Sequence, residues 1–436
     1  MKHPFHGGVH PAGRKELSSG NAPIPAPIPT QVVIPLLQHI GAACEPRVKP
    51  GDTIRLGQKI GDGAGLCVPV HASVSGKVLA VEPRRHPSGR EVLSVVIEND
   101  FRDTPDDTLR PHSGGDELSA DDILSIVREA GVVGMGGATF PTDIKTQSSL
   151  GKIDTLIANA CECEPYITAD DALLCSHPEQ VLGGMKLLCR VLQPKRAVLA
   201  VEDNKAASIS ALKQHLEGER AIELKVLPTR YPQGAEKQLI QAVTGRQVPP
   251  GGLPSAVGCA VFNVSTFAAV YRAVILGQPL THRIVTVTGE GVRRPQNYLA
   301  PIGTPLEVLI GASGGLTDDV WKVIAGGPMM GIAQADLTAP VVKGTNAVLC
   351  LSQAQNDERE VHTCIRCGKC IWVCPMNLQP LYLYRAQQVG AVGELERLNV
   401  LDCIECGCCA YACPGKLPLV QTFRLGKRTV KEASSQ

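Results

Sequence analysis

From Val48 to Glu98 the chain alternates β-branched residues with Gly/Pro turns at short spacing, "VKPGDTIRLGQKIGDGAGLCVPVHASVSGKVLAVEP" leading into "EVLSVVIEND". Period-two runs between turn signals predict a compact all-β module. Before it, "NAPIPAPIPTQVVIPL" (21 to 36) is too Pro-rich for a helix and reads as an extended strap. Near residue 117 the period changes. In "ELSADDILSIVREAGVVGMGG", Ser119 caps a helix, Asp121 and Asp122 suit its positive end, and Ile123, Ile126 and Val127 share one face. "TLIANACECEP" and "RAVLAVEDNKAAS" each set an apolar strand before polar loop residues, which predicts an α/β sheet domain over about 116 to 277. "HRIVTVTGEGVRRPQNYLAPIGTPLEVLIGASGG" then returns to short strands and predicts a second small domain.

Composition supports this picture and narrows it. Aromatics are only 3%, while Gly (44) and Pro (33) are plentiful, favouring short strands and tight turns. Lys plus Arg (43) nearly cancels Asp plus Glu (42), which removes the electrostatic case for nucleic acid and most of that for anionic lipid. The first twenty residues lack the apolar run of a secretory signal, so a cytoplasmic location is expected. The best membrane candidate, 258 to 277, carries Asn263, Ser265, Thr266 and Arg272, and reads instead as a strand end followed by a buried helix. The β module is similar to biotinyl/lipoyl-type sandwiches. Its turn near His71 to Ser75 lacks the lysine that those carriers modify, so the module is expected to be scaffold.

Of 17 cysteines, nine fall between Cys364 and Cys413. "CIRCGKCIWVCP" (364 to 375) and "CIECGCCAYACP" (403 to 414) both read CxxCxxCxxxCP, the two-cluster ferredoxin spacing, in which the fourth cysteine serves the other cluster. Cys364, Cys367, Cys370 and Cys413 are thus expected to hold one [4Fe-4S] cluster, and Cys403, Cys406, Cys409 and Cys374 the second. Paired zinc sites are the rival, but zinc motifs separate two CxxC pairs by a longer run. Cys408 breaks the pattern and is expected to be a spare buried thiol.

In "GMGGATFPT" (134 to 142), Gly134, Gly136 and Gly137 let backbone amides approach a phosphate, although Ala138 and Thr139 break the dinucleotide GxGxxG fingerprint. The succession "GMGGATFPTDIK", "NACECEPY", "YPQGAEK" and "FNVST" resembles the flavin- and NADH-binding subunit of respiratory complex I. With the cysteine pair, the "HPFHGGVHP" start and "ECEPYITADD", the chain resembles over nearly its full length the RnfC/RsxC family of the Rnf (Rsx) ion-translocating electron transport complex.

The resemblance implies an α/β multidomain chain: a strap and lipoyl-like β module (1 to 115), an FMN/NADH-binding α/β domain (116 to 277), a soluble-ligand-binding β-grasp (278 to 350) and an α-helical two-cluster ferredoxin domain (351 to 436). It implies that Gly134, Gly136, Gly137 and Lys145 cradle the FMN phosphate and ribityl chain and that Phe140 stacks on the nicotinamide. Asn159 and Glu162 would face the flavin and Glu164 the nicotinamide edge. Tyr231, Gly234, Glu236, Asn263 and Thr266 would complete the site, with no side chain acting as acid or base. Met135, Cys161 and Ala235 stand where the complex I relatives carry Arg, Asp and Glu, which makes the pocket less polar. The implied activity is electron input: NADH to FMN to two [4Fe-4S] clusters, then to membrane subunits of the complex, including a cluster-bearing ferredoxin-like one, that move Na⁺ or H⁺. The chain would be peripheral on the cytoplasmic face of the inner membrane. An adaptor that relays electrons through its clusters without NADH chemistry is the alternative. Relatives often continue past the second cluster as an Ala/Lys-rich tail, which is expected to carry no essential chemistry here.

Overall fold

The computed structural model describes residues 4–107, 110–112, 117–356 and 360–434. The expected boundary at 115/116 lies outside them. The β module is built from two antiparallel sheets. One orders Gln31–Pro35, Glu91–Asn99, Gly76–Arg85 and Thr53–Ile54; the other orders Glu45–Pro46, Lys59–Asp62 and Val70–His71. Val32, Ile34, Ile60, Val70, Val95 and Ile97 fill the space between them. The Pro-rich strap is therefore only partly a linker: Gln31–Pro35 is a full strand of this module, and Ile24–Pro25 adds a parallel edge to a different sheet, opposite Tyr298 and Leu299.

The second unit is a parallel sheet ordered Ile222–Leu227, Arg196–Glu202, Thr155–Ala160 and Cys259–Asn263. Thr155–Ala160, Arg196–Glu202 and Cys259–Asn263 are near-continuous buried runs because helices cover both faces, whereas the edge strand Ile222–Leu227 carries the exposed Glu223 and the half-buried Lys225. Ser119 forms a capping box with Asp122 and starts the helix Ala120–Glu129, whose Ile123 and Val127 are buried. Residues 258 to 277 resolve into the strand Cys259–Asn263 and the buried helix Val264–Leu276, capped by Asn263. Among the described residues no helix is long and apolar enough to cross a membrane. A mixed six-stranded sheet follows, with His282–Thr288 flanked by Gln296–Pro301 and Ala347–Ser352. Because Ala347–Ser352 is an inner strand, this sheet runs past the boundary expected at 350.

The cysteine-rich unit is helical. Pro380–Gln388, Val392–Arg397 and Leu419–Ser434 pack Leu383, Leu395, Val400, Leu419, Phe423 and Val430 into a small core. Residues 4 to 18 clasp this unit to the parallel-sheet domain. The Gly8 amide donates to the Val373 carbonyl at 2.9 Å, and Val9 bridges Tyr231.

Candidate functional site

Parallel strands end together, so the loops after their carboxyl ends form a natural crevice. Asn159 and Asn263 lie side by side in register there. In front of them the segment Gly134–Phe140 closes on itself through the Gly134 amide and the Phe140 carbonyl at 2.8 Å. The Met135 amide donates to Thr266 Oγ1 at 3.0 Å, which ties the loop to the helix behind it. A Cβ at Gly136 would sit 2.9 Å from Asn263 Cβ, so only glycine allows this approach, whereas Gly137 has open space around it. Together these elements enclose a cavity of about 410 Å³. That lies within the roughly 300–1,000 Å³ of small-molecule sites.

Nine expected cofactor residues line the cavity: Gly134, Gly136, Gly137, Phe140, Lys145, Asn159, Gly234, Glu236 and Asn263. Lys145 Nζ pairs with Glu236 Oε1 at 2.7 Å and lies 5.2 Å from the Phe262 ring centroid. Asn159 is held by the Gly234 carbonyl (2.8 Å) and the Cys161 amide (3.0 Å), and Asn263 by Asp170 (2.6 Å), so the chain itself sets their orientation.

The other four lie behind the wall. Thr266 is fully buried under Met135. Glu162 accepts from the Asp170 amide at 2.8 Å and meets Lys205 Nζ at 3.0 Å; burial pushes its carboxyl up while Lys205 and Lys15 oppose the shift. Lys15, brought by the N-terminal segment, is lowered to about 8 by burial and by Lys205. Glu164 accepts from the Met329 and Met330 amides at 2.7 and 3.0 Å, and burial raises its carboxyl as well. Tyr231 donates its hydroxyl to the Cys406 carbonyl at 2.7 Å. Glu164 and Tyr231 therefore stand where the parallel-sheet domain meets its neighbours, away from the cavity.

The cysteines gather into two nests. Cys374, Cys403, Cys406 and Cys409, with Cys408, surround one small pocket, and Cys364, Cys367, Cys370 and Cys413 surround the other. Each nest thus takes the last cysteine of the opposite stretch. Among the described residues the ligand atoms of neither nest form a trio within 4.8 Å of one another. A single tetrahedral zinc with Zn–S near 2.3 Å needs sulfurs about 3.8 Å apart. Neither nest therefore gathers three sulfurs as closely as a single tetrahedral zinc requires.

The inner nest touches the parallel-sheet domain directly: Tyr231 reaches Cys406, and Gln238 Nε2 donates to the Pro375 carbonyl at 3.0 Å. A chain of contacts joins it to the cavity. Gly234 lines the cavity, its amide donates to Cys163 Sγ at 3.4 Å, and Cys163 packs with Tyr231, Cys406 and Cys408. The outer nest faces solvent, with Cys367 exposed and Ile365 and Trp372 at 73% and 74% exposure. Sequence reasoning missed Ile40, which reaches the cavity from the β module, along with Leu253 and Ser255. None of the three sits in a motif.

Comparison with known proteins agrees with this architecture. Residues 127–272 match the Nuo51 FMN-binding domain and 356–414 the 4Fe-4S dicluster domain, which defines a flavin- and iron–sulfur-binding electron-transfer protein with two [4Fe-4S] clusters. Residues 3–102 match the RnfC barrel sandwich hybrid domain and 284–333 the SLBB domain. The chain is 46% identical to the C subunit of the Na(+)-translocating ferredoxin:NAD(+) oxidoreductase complex of Acetobacterium woodii, over 98% of this chain and 97% of that one. It is 43% identical to the proton-translocating counterpart of Clostridium ljungdahlii, over 96% and 92%. With the C subunit of the ion-translocating oxidoreductase complex of Serratia proteamaculans the identity is 43% over 98% of this chain and 61% of that longer protein. The chain belongs to the RnfC family, the C subunits of ion-translocating oxidoreductase complexes.

Proposed function

We propose that this chain is the electron-input subunit of an Rnf-type complex, passing electrons between NAD(H), FMN and two [4Fe-4S] clusters, while partner subunits couple that flow to ion translocation. The cavity fits the flavin in size; Gly137 leaves open space for a phosphate beside backbone amides, while Gly136 lets the loop close onto Asn263. Gly134, Gly136, Gly137 and Lys145 hold the phosphate and ribityl chain; Phe140 receives the nicotinamide; Asn159, Gly234, Glu236 and Asn263 orient the ring system. Bound FMN supplies the exchange between a hydride donor and one-electron acceptors. Thr266, Glu162, Glu164 and Tyr231 act as positioning residues from behind the wall.

The inner nest (Cys374, Cys403, Cys406, Cys409) stands next in the path, and the outer nest (Cys364, Cys367, Cys370, Cys413) hands electrons to a cluster-bearing partner. The observation that carries this order is the contact line from Gly234 through Cys163 and Tyr231 to Cys406. Attachment to the cytoplasmic face of the inner membrane runs through those partners; chaotrope without detergent should release the chain from membranes. The direct test is anaerobic: reconstitute with FMN, add NADH, and follow flavin bleaching together with the reduced-cluster signal. Both should respond. If dithionite reduces the clusters and NADH does not, an adaptor without its own NADH chemistry replaces this reading.

A further inference from the structure

We propose that His39, Cys44 and Cys67 form a zinc site inside the N-terminal β module, separate from both cysteine nests. Among the described residues they are the only three His, Cys, Asp or Glu side chains whose ligand atoms all lie within 4.8 Å of one another. Cys44 Sγ is 3.3 Å from Cys67 Sγ and 3.9 Å from His39 Nε2. A tetrahedral zinc with Zn–S near 2.3 Å and Zn–N near 2.0–2.1 Å asks for edges of about 3.5–3.8 Å. The trio is therefore compact in the way the nests are not. All three are buried, at 6%, 3% and 1% exposure.

The surroundings fit a ligand set. His39 Nδ1 faces the Ile40 carbonyl at 3.3 Å, the arrangement by which a metal-bound histidine fixes its tautomer and presents Nε2. Nε2 now accepts from the Val68 amide at 3.2 Å, a hydrogen bond that the metal would displace. The Val68 carbonyl, 3.2 Å from Cys44 Sγ and 4.0 Å from Cys67 Sγ, offers a fourth ligand. Gly63 keeps the space clear, since a Cβ there would sit 3.1 Å from Cys67 Sγ. Two thiolates cancel the charge of Zn²⁺, so the ion adds no net charge to a buried site that already has the Lys343 ammonium nearby. The two cysteine protons leave to solvent as it binds.

The position also gives the site a consequence. The Ile40 amide donates to the Thr139 carbonyl at 3.3 Å, and Ile40 lines the cavity. Zinc at His39 would pin the β-module loop that closes the proposed flavin site, a consequence that rests on the proposed function although the metal site does not.

The test uses the full chain, purified anaerobically with its iron, from zinc-supplemented cells. Metal analysis should show zinc stoichiometric with the chain, and zinc-edge X-ray absorption should show two sulfurs near 2.3 Å with nitrogen or oxygen near 2.0–2.1 Å. Cys67→Ser and His39→Asn should each lose the zinc while iron content stays the same. A chain without zinc, an all-sulfur zinc shell from metal lodged in the nests, or a Cys44–Cys67 disulfide in the intact mass would each overturn the proposal. The absorption measurement needs only the unmodified chain, so a variant that misfolds does not weaken it.

Discussion

The two cysteine loops are near-copies in sequence and backbone, yet their surroundings differ. At an offset of 39 residues, Cys364, Cys367, Cys370 and Cys374 map onto Cys403, Cys406, Cys409 and Cys413. Arg366 and Glu405 both take φ 56°, Gly368 and Gly407 take 75° and 80°, and Asn377 and Lys416 take 55° and 50°. The Arg366 amide donates to Cys364 Sγ and the Glu405 amide to Cys403 Sγ, each at 3.4 Å. One loop is nevertheless buried against the flavin-side domain and the other faces solvent. Local sequence builds a cluster loop, and the residues packed over it decide whether that loop meets the protein or solvent, the difference on which the proposed order of electron transfer rests.

The largest effect that would break this asymmetry is loss of an inner ligand. Cys409→Ser should remove the inner cluster and lower NADH-driven reduction of an external acceptor by roughly 100-fold or more, about 2.7 kcal/mol of barrier; steady-state rates and iron analysis check it. Cys367→Ser, in the exposed loop, should leave NADH bleaching of the flavin and the inner cluster's signal in place while onward transfer fails. Its thermal midpoint should move less than that of Cys409→Ser. Tyr231→Phe should shift the inner cluster's reduction potential and leave the outer one unchanged. It strands the buried Cys406 carbonyl, at a cost of about 1–2 kcal/mol in denaturant unfolding.

The smallest effect is electrostatic. Burial raises the Glu405 carboxyl, but hydrogen bonds from Lys427 and Arg424, both 2.7 Å, outweigh it and hold it below its usual range. A depressed carboxylate stabilises fully above its unfolded pKa, and that contribution is lost as pH falls from about 4.5 through the folded value. With a quarter of the side chain exposed, the contribution should stay below about 1 kcal/mol. Glu405→Gln should flatten this acid limb of the unfolding midpoint, while Arg366→Gln in the exposed loop should leave it unchanged.

Much of this was legible in the residues because it is local. The cysteine spacing fixes two loops, and the strand–turn–helix order around "GMGGATF" and "FNVST" fixes the crevice. Glu164 and Tyr231 were harder. Their motifs lie next to the crevice in sequence, but Met329 and Met330 amides draw Glu164 toward the six-stranded sheet, and the Cys406 carbonyl draws Tyr231 toward the inner nest. Partners more than 160 residues away leave no trace in a local pattern. Lys15 beside Glu162, 147 residues on, and Cys44 beside Cys67, only 23 residues on, leave no local pattern either; the closing of the strap and barrel brings each pair together. The strand Gln31–Pro35 was hidden by its flanking prolines; an edge position tolerates them.

The order of electron flow can be read from a chain whose inner nest is broken. The FMN-reconstituted Cys409→Ser chain should be mixed anaerobically with NADH, and the outer cluster's paramagnetic signal followed against a dithionite control. Dithionite should produce the signal and NADH should not. An outer cluster reduced by NADH as fast as in the unaltered chain would show that electrons bypass the inner nest, and the order drawn from the Gly234–Cys163–Tyr231–Cys406 line would be wrong.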